Sequence, residues 1–252
     1  MKRKSFIAFL LMAAVCMSTS FLCSCGDDEV KPQENGSSGS NSGGDSSGKS
    51  GTNDGHEWID LGLPSGTLWA TCNVGASSPE ESGSHFAWGE TQPKNRYSWS
   101  TYGYCNGSEN TMVKYCNDGA YGYMGFTDNL TNLLSEDDAA TANWGSEWQM
   151  PSREQIEELF NSFYTNKDWT QLNDKSGWKI TSKKTGNSIF LPYAKVLITN
   201  NSWSYGSSYL SNSLCTPEND KAYVLFFNDY YTWSFRSESR CLGCSVRPVR
   251  KQ

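Results

Sequence analysis

Glu57-Trp58-Ile59-Asp60-Leu61-Gly62-Leu63-Pro64-Ser65-Gly66-Thr67-Leu68-Trp69-Ala70-Thr71-Cys72-Asn73 decides how the rest of the 252-residue chain is read. Apolar and β-branched residues over 57–61 and 67–73 flank one Pro and two Gly, which predicts two short strands joined by a turn. The arrangement recurs where 178–182 and 188–191 flank Lys183-Lys184-Thr185-Gly186-Asn187. Two further stretches, 222–227 and 245–249, are apolar and β-branched enough to be buried strands. Helical signals are few. Ser152 with Gln155 three residues on forms a capping box, and Ile156, Leu159, Phe160 and Phe163 follow at i, i+3, i+4 and i+7, the stripe that a helix lays on a sheet. A weaker helix is expected over 136–143, capped by Ser135. Short strands, many turns and about two helices make an α+β domain with long irregular loops.

The domain is expected to fill 56–252, a length that supports one sizeable core. All ten Trp and thirteen Tyr fall inside it, beside only two histidines, His56 and His85. Net charge is −6 with Lys and Arg scattered, which argues against nucleic acid and against electrostatic adhesion to anionic lipid as partners.

Residues 1–24 read as an export signal: Lys2-Arg3-Lys4, an apolar run over 6–15 too short for a comfortable span, then Leu22-Cys23-Ser24-Cys25. Cys25, after a small residue, is the expected lipidated first residue of a signal-peptide-bearing lipoprotein. Between 35 and 55 there is no apolar side chain, so 25–55 is expected to be a disordered tether with a reach of roughly 30 Å. Gly26-Asp27-Asp28-Glu29 resembles the acidic surface-export signal of Bacteroidetes lipoproteins. That resemblance implies a lipid-anchored protein of the outer membrane, facing the cell exterior, whose contact with membrane is through the anchor alone.

Six ordered motifs carry a second resemblance. They are 58–70 in the opening stretch, Asn73-Val74-Gly75-Ala76, Phe86-Ala87-Trp88-Gly89-Glu90, Asp137-Asp138-Ala139-Ala140, Trp148-Gln149-Met150-Pro151-Ser152 and Ser245-Val246-Arg247-Pro248-Val249. Together they resemble the Fibrobacter succinogenes major paralogous domain family. The resemblance implies a fold similar to C-type lectin-like domains and to the formylglycine-generating enzyme, with twisted antiparallel sheets; it supplies no activity, because function in such folds lives in the loops.

Catalytic inventory is thin. Neither histidine sits in a triad-like setting, and Glu154 and Glu157 lie on a helix surface where solvation is the default. Cys241-Leu242-Gly243-Cys244 lies where the formylglycine-generating enzyme places two late cysteines with copper, but no partner ligands accompany it. Pro217-Glu218-Asn219-Asp220 has the oxygen atoms of a lectin calcium loop in the wrong order, and it reads as a polar turn. No enzyme activity, metal or cofactor is therefore expected. After Cys25 six cysteines remain, allowing fifteen connectivities; Cys105 and Cys116 bound a polar loop whose closure would contribute about 3 kcal/mol, and are the expected disulfide.

The stronger signal is aromatic residues in polar loops. Trp203, Tyr205, Asn228, Asp229, Tyr230, Tyr231 and Trp233 mix flat rings with amide and carboxylate groups, a combination that suits a glycan face or a protein partner. The reading is a non-enzymatic recognition module. The alternatives are a structural or adhesive envelope protein, and an oxidase of the formylglycine-generating type using Cys241 and Cys244.

Overall fold

The computed structural model describes residues 48–198 and 203–250, which fall in one compact unit; of 203–205 only the backbone is described. The expected export signal, Cys25 and most of the expected tether lie outside the described residues. Among the described residues no helix is long and apolar enough to cross a membrane.

The domain is α+β and mostly sheet. Strands β1 (Ser50–Asn53), β2 (His56–Asp60), β3 (Leu68–Ala70) and β13 (Val249–Arg250) form a four-stranded sheet in the order β1-β2-β3-β13. Strands β4 (His85–Phe86), β9 (Trp203–Leu214), β10 (Lys221–Phe227), β11 (Trp233–Ser239) and β12 (Cys244–Ser245) run β11-β10-β9-β12-β4, with β8 (Lys195–Leu197) also pairing with β9. A third sheet is the meander β5 (Thr165–Leu172), β6 (Lys175–Ser182) and β7 (Ser188–Pro192). All strand pairs are antiparallel except β12 with β9, which meet in parallel at Ser245 and Tyr209. The helices are α1 (Ala139–Trp144) and α2 (Arg153–Leu159).

Both expected hairpins form: β2 pairs with β3 across 61–67 and β6 with β7 across 183–187. The tether boundary is a correction. Asp54 (φ 49°) and Gly55 (φ 80°) are both left-handed, which is the two-residue turn that Asp-Gly favours, and it folds Ser50–Asn53 back onto His56–Ile59 as β1. Gly51 has no side chain because a Cβ there would stand 2.6 Å from the Trp58 ring. The domain thus starts near residue 48, with polar residues held by backbone pairing rather than burial.

The capping box is present, with Ser152 Oγ accepting from Gln155 N and Gln155 Oε1 accepting from Ser152 N. Ile156, Leu159 and Phe160 are buried as expected, whereas Phe163 is 80% exposed. The helix ends at Leu159, so the 3.6-residue period that placed Phe163 on the stripe no longer applies. The weaker helix is also shifted: Ser135–Asp137 is a single 3-10 turn, and Asp138, not Ser135, caps α1. The strand expected over 245–249 is two, because 246–248 crosses from one sheet to another.

The six motifs turn out to be the joints of the core. Asp138 accepts from Ala140 N, Thr141 N and Met150 N, tying α1 to the 148–152 segment. Arg247, 2% exposed, donates to Asn73 Oδ1, Ala70 O and Phe190 O, joining the chain end to β3 and β7. Trp88, fully buried, donates from Nε1 to Ser211 O and lies under the Arg240 guanidinium at 4.8 Å. A chain poor in Leu and Ile fills its interior with such rings: Trp69, Trp88 and Trp148 are the largest buried side chains.

Candidate functional site

The β10–β11 hairpin carries the site. Phe227 pairs with Trp233 on β11 and with Ser207 on β9, so the tip 228–232 and the start of β9 lie at the same end of the sheet. Asn228 builds the tip. Its N–H donates to Thr232 O (3.1 Å), and its Oδ1 accepts from Tyr230 N (3.0 Å), Thr232 N (3.3 Å) and Thr232 Oγ1 (2.8 Å). With that oxygen occupied, Asn228 braces the tip and its carbonyl is not open to a ligand. The brace holds Tyr231 at φ 62°, a left-handed conformation uncommon for a bulky residue.

The two tyrosine rings point away from the fold, Tyr230 78% and Tyr231 64% exposed. Tyr231 meets Trp169 edge-to-face with centroids 5.5 Å apart. Trp169, half-buried on β5, also touches Trp178 (5.5 Å), Tyr193 (6.1 Å) and Phe227 (6.1 Å). Tyr231, Trp169 and Tyr193 therefore form one aromatic platform, founded on the core through Phe227 and Tyr209. Asp229 is exposed at its rim, and burial followed by the Asp229 charge pushes the Tyr193 hydroxyl pKa up. Beyond Tyr193 opens a hollow of 560 Å³ lined by Glu80, Glu81, Asp174 and Lys175 among others.

The expected site residues separate into three groups. Asp229, Tyr230 and Tyr231 are on the accessible surface. Asn228 supports them, and Trp233 is half-buried between Phe160 (5.0 Å) and Phe235 (5.5 Å), with Lys167 Nζ 5.9 Å from its ring centroid. The side chains of Trp203 and Tyr205 lie outside the described residues. Trp169 and Tyr193 were missed. β5 has no alternating apolar pattern, since Thr165, Lys167 and Gln171 share the Trp169 face, so only the aromatic residues themselves were available as a signal.

The other candidate chemistry is occupied structurally. His85 Nε2 donates to Lys195 O (2.9 Å), and burial lowers its pKa. His56 stacks on Trp144 with centroids 3.7 Å apart. The disulfide expected between Cys105 and Cys116 is not formed: all six described thiols are free, Cys105 Sγ donating to Trp99 O and Cys116 Sγ to Asp118 O. Cys241 and Cys244 are buried, which pushes the Cys241 thiol up to about 12 and the Cys244 thiol up as well, away from the thiolate that redox or metal chemistry uses. In the calcium-like loop Asn219 is fully buried and its Oδ1 accepts from Asn117 N and Asp118 N, while Glu218 pairs with Lys221. Among the described residues no group of three or more His, Cys, Asp or Glu is placed to hold a metal ion.

Comparison of the chain with family models, with curated proteins and with solved structures gave no match.

Proposed function

We propose that this chain is a non-enzymatic recognition module for glycan or protein, carried on the cell surface by a lipid on Cys25. The six-motif resemblance to the Fibrobacter succinogenes major paralogous domain family, and through it to C-type lectin-like domains, belongs to the same proposal. The observation that carries it is the platform of Tyr231, Trp169 and Tyr193 beside Asp229, with two tyrosine rings held largely in solvent by a hydrogen-bonded loop. Rings on a braced tip offer rigid apolar area at small entropy cost, and the adjoining carboxylate reads hydroxyl or amide groups.

The test compares Tyr231→Ala with Trp233→Ala in a glycan-array and partner-capture screen, each variant also being melted. Tyr231→Ala should abolish binding at near-normal melting temperature, while Trp233→Ala should lower the melting temperature because its ring packs on Phe160 and Phe235. Binding that survives Tyr231→Ala would move the recognition surface elsewhere.

A further inference from the structure

A second surface feature lies at the other end of β5, where the loop after α2 meets the β6–β7 turn. Phe163 is 80% exposed there, with Tyr164 against it edge-to-face at 5.2 Å. An exposed Phe on a mobile loop would be unremarkable, but this loop is clamped. Asn161 Oδ1 accepts from Phe163 N (2.9 Å), Lys167 Nζ donates to Phe160 O (3.0 Å), Ser162 Oγ (3.0 Å) and Thr165 O (3.3 Å), and Lys183 Nζ donates to Ser162 O (2.7 Å). The ring is thereby presented at one wall of an open cleft of 380 Å³, lined by Gly62, Pro64, Phe163, Tyr164, Lys183 and Lys184, within the range of about 300–1,000 Å³ typical of small-ligand sites.

The cleft sets two lysines, Lys183 and Lys184, beside an exposed ring on an acidic protein. Among the described residues Lys167, Lys183 and Lys184 form no ion pair, although six other Lys and Arg side chains that do so lie elsewhere on the domain. Neither Glu158 nor Asp60 lines the cleft: Glu158 accepts from Ser65 N and Ser65 Oγ, and Asp60 from Gly62 N. An ammonium has three donors. Lys167 spends all three on the loop and Lys183 one, while Lys184 donates to none of the described residues, so among the described residues five N–H donors and the positive charges remain for a ligand. Gly62, at φ 61°, makes room for the arrangement, since a Cβ there would stand 3.1 Å from Lys184 Cδ. Burial, joined by the like charge of Lys183, lowers the Lys167 pKa.

We infer that this cleft is a subsite for an acidic sugar, a uronic acid or sulfated residue whose ring face packs on Phe163 while its anion is held by Lys183 and Lys184. The inference rests on the recognition reading only for the class of ligand. Its location is independent of the Tyr231 platform. A flat ring beside paired cations matches a pyranose bearing a charged substituent, the ring supplying apolar contact and the lysines the anion preference.

The experiment titrates the full mature chain calorimetrically with tetragalacturonate, its methyl ester and a sulfated tetrasaccharide, and sediments it with phosphatidylglycerol vesicles. Expected is binding of an acidic tetrasaccharide that weakens with salt, about tenfold weaker or absent binding of the ester, and about tenfold loss in Lys183→Gln/Lys184→Gln. Phe163→Ala should lose affinity at unchanged melting temperature, and Tyr231→Ala should retain it. The two acidic probes distinguish carboxylate from sulfate. Equal binding of acid and ester, no binding of either acidic probe, or vesicle sedimentation that depends on Phe163 in the absence of sugar binding would each overturn the inference. Loss of acidic-sugar binding in Tyr231→Ala but not in the lysine variant would overturn it in favour of the platform alone.

Discussion

Replacing Asp138 by Ala tests whether the six motifs are structural joints. The carboxylate is 4% exposed and accepts from Ala140 N at 2.9 Å, Thr141 N at 3.0 Å and Met150 N at 2.8 Å. Alanine leaves three backbone donors without a partner, each costing about 1–3 kcal/mol when buried. Ala140 and Met150 are fully enclosed, whereas Thr141 is only half-buried and water reaches its N–H, so the expected loss is about 3–6 kcal/mol. Asp138→Asn keeps the Oδ1 acceptor for Ala140 N, Thr141 N and, at 3.0 Å, Met150 N, but sets an amide donor in place of Oδ2, 2.8 Å from Met150 N. The amide variant should therefore lose about 1–3 kcal/mol, less than the alanine variant. Urea unfolding of the three proteins measures this, with equal slopes showing that the unfolded states match; at this size the alanine variant should melt about 10 °C lower or more. An alanine variant within about 1 kcal/mol of wild type, or an asparagine variant as damaged as the alanine one, would refute the account of Asp138 as the link between α1 and the 148–152 segment.

Two further outcomes are expected. Leu159→Ala should destabilise by about 2–5 kcal/mol, because Leu159 is 1% exposed, while Phe163→Ala, at 80% exposure, should melt like wild type; equal melting of the two would show that the end of α2 is misplaced. His85 has a folded pKa below its ordinary 6.5, since burial disfavours the charged ring, so its contribution is complete above pH 6.5 and is lost as pH falls through that value and the unfolded chain takes up the proton first. His85→Gln should flatten the decline in unfolding free energy between pH 7 and 5, and a slope identical to wild type would remove His85 as its source.

Local chemistry was legible in the sequence, and chemistry completed by a distant partner was not. The capping box at Ser152 and Gln155 and the turn glycines of two hairpins act within a few residues, so their patterns survive in one dimension. β9 does not show itself that way. It carries Ser204, Ser207, Ser208, Ser211 and Ser213 with Gly206 among them, a composition that favours turns. It is nevertheless central in the six-stranded sheet because neighbours complete it: Ser207 Oγ accepts from Ala194 N, Ser211 Oγ donates to Tyr223 O, and Gly206 leaves space for the Phe226 ring, which a Cβ would approach to 2.0 Å. Asp54-Gly55 was the opposite case, a local turn signal that was present but was hidden by the polar composition around it.

The site divides along the same line. Composition alone drew attention to 228–233, and it treated amides and rings there as equal contributors to recognition. Geometry separates them by what each group already has. Asn228 meets three donors inside its own loop and Trp233 meets two Phe rings, whereas Tyr230 and Tyr231 keep most of their surface in water. A short polar side chain in a tight loop bonds first to the nearest backbone, because that contact requires the least ordering. The same rule accounts for Asn161 beneath Phe163 at the other end of β5. In both loops an Asn fixes the backbone and an aromatic ring is what remains for solvent, so the Asn two residues before the exposed ring is the brace, and the ring identifies the surface available to a partner.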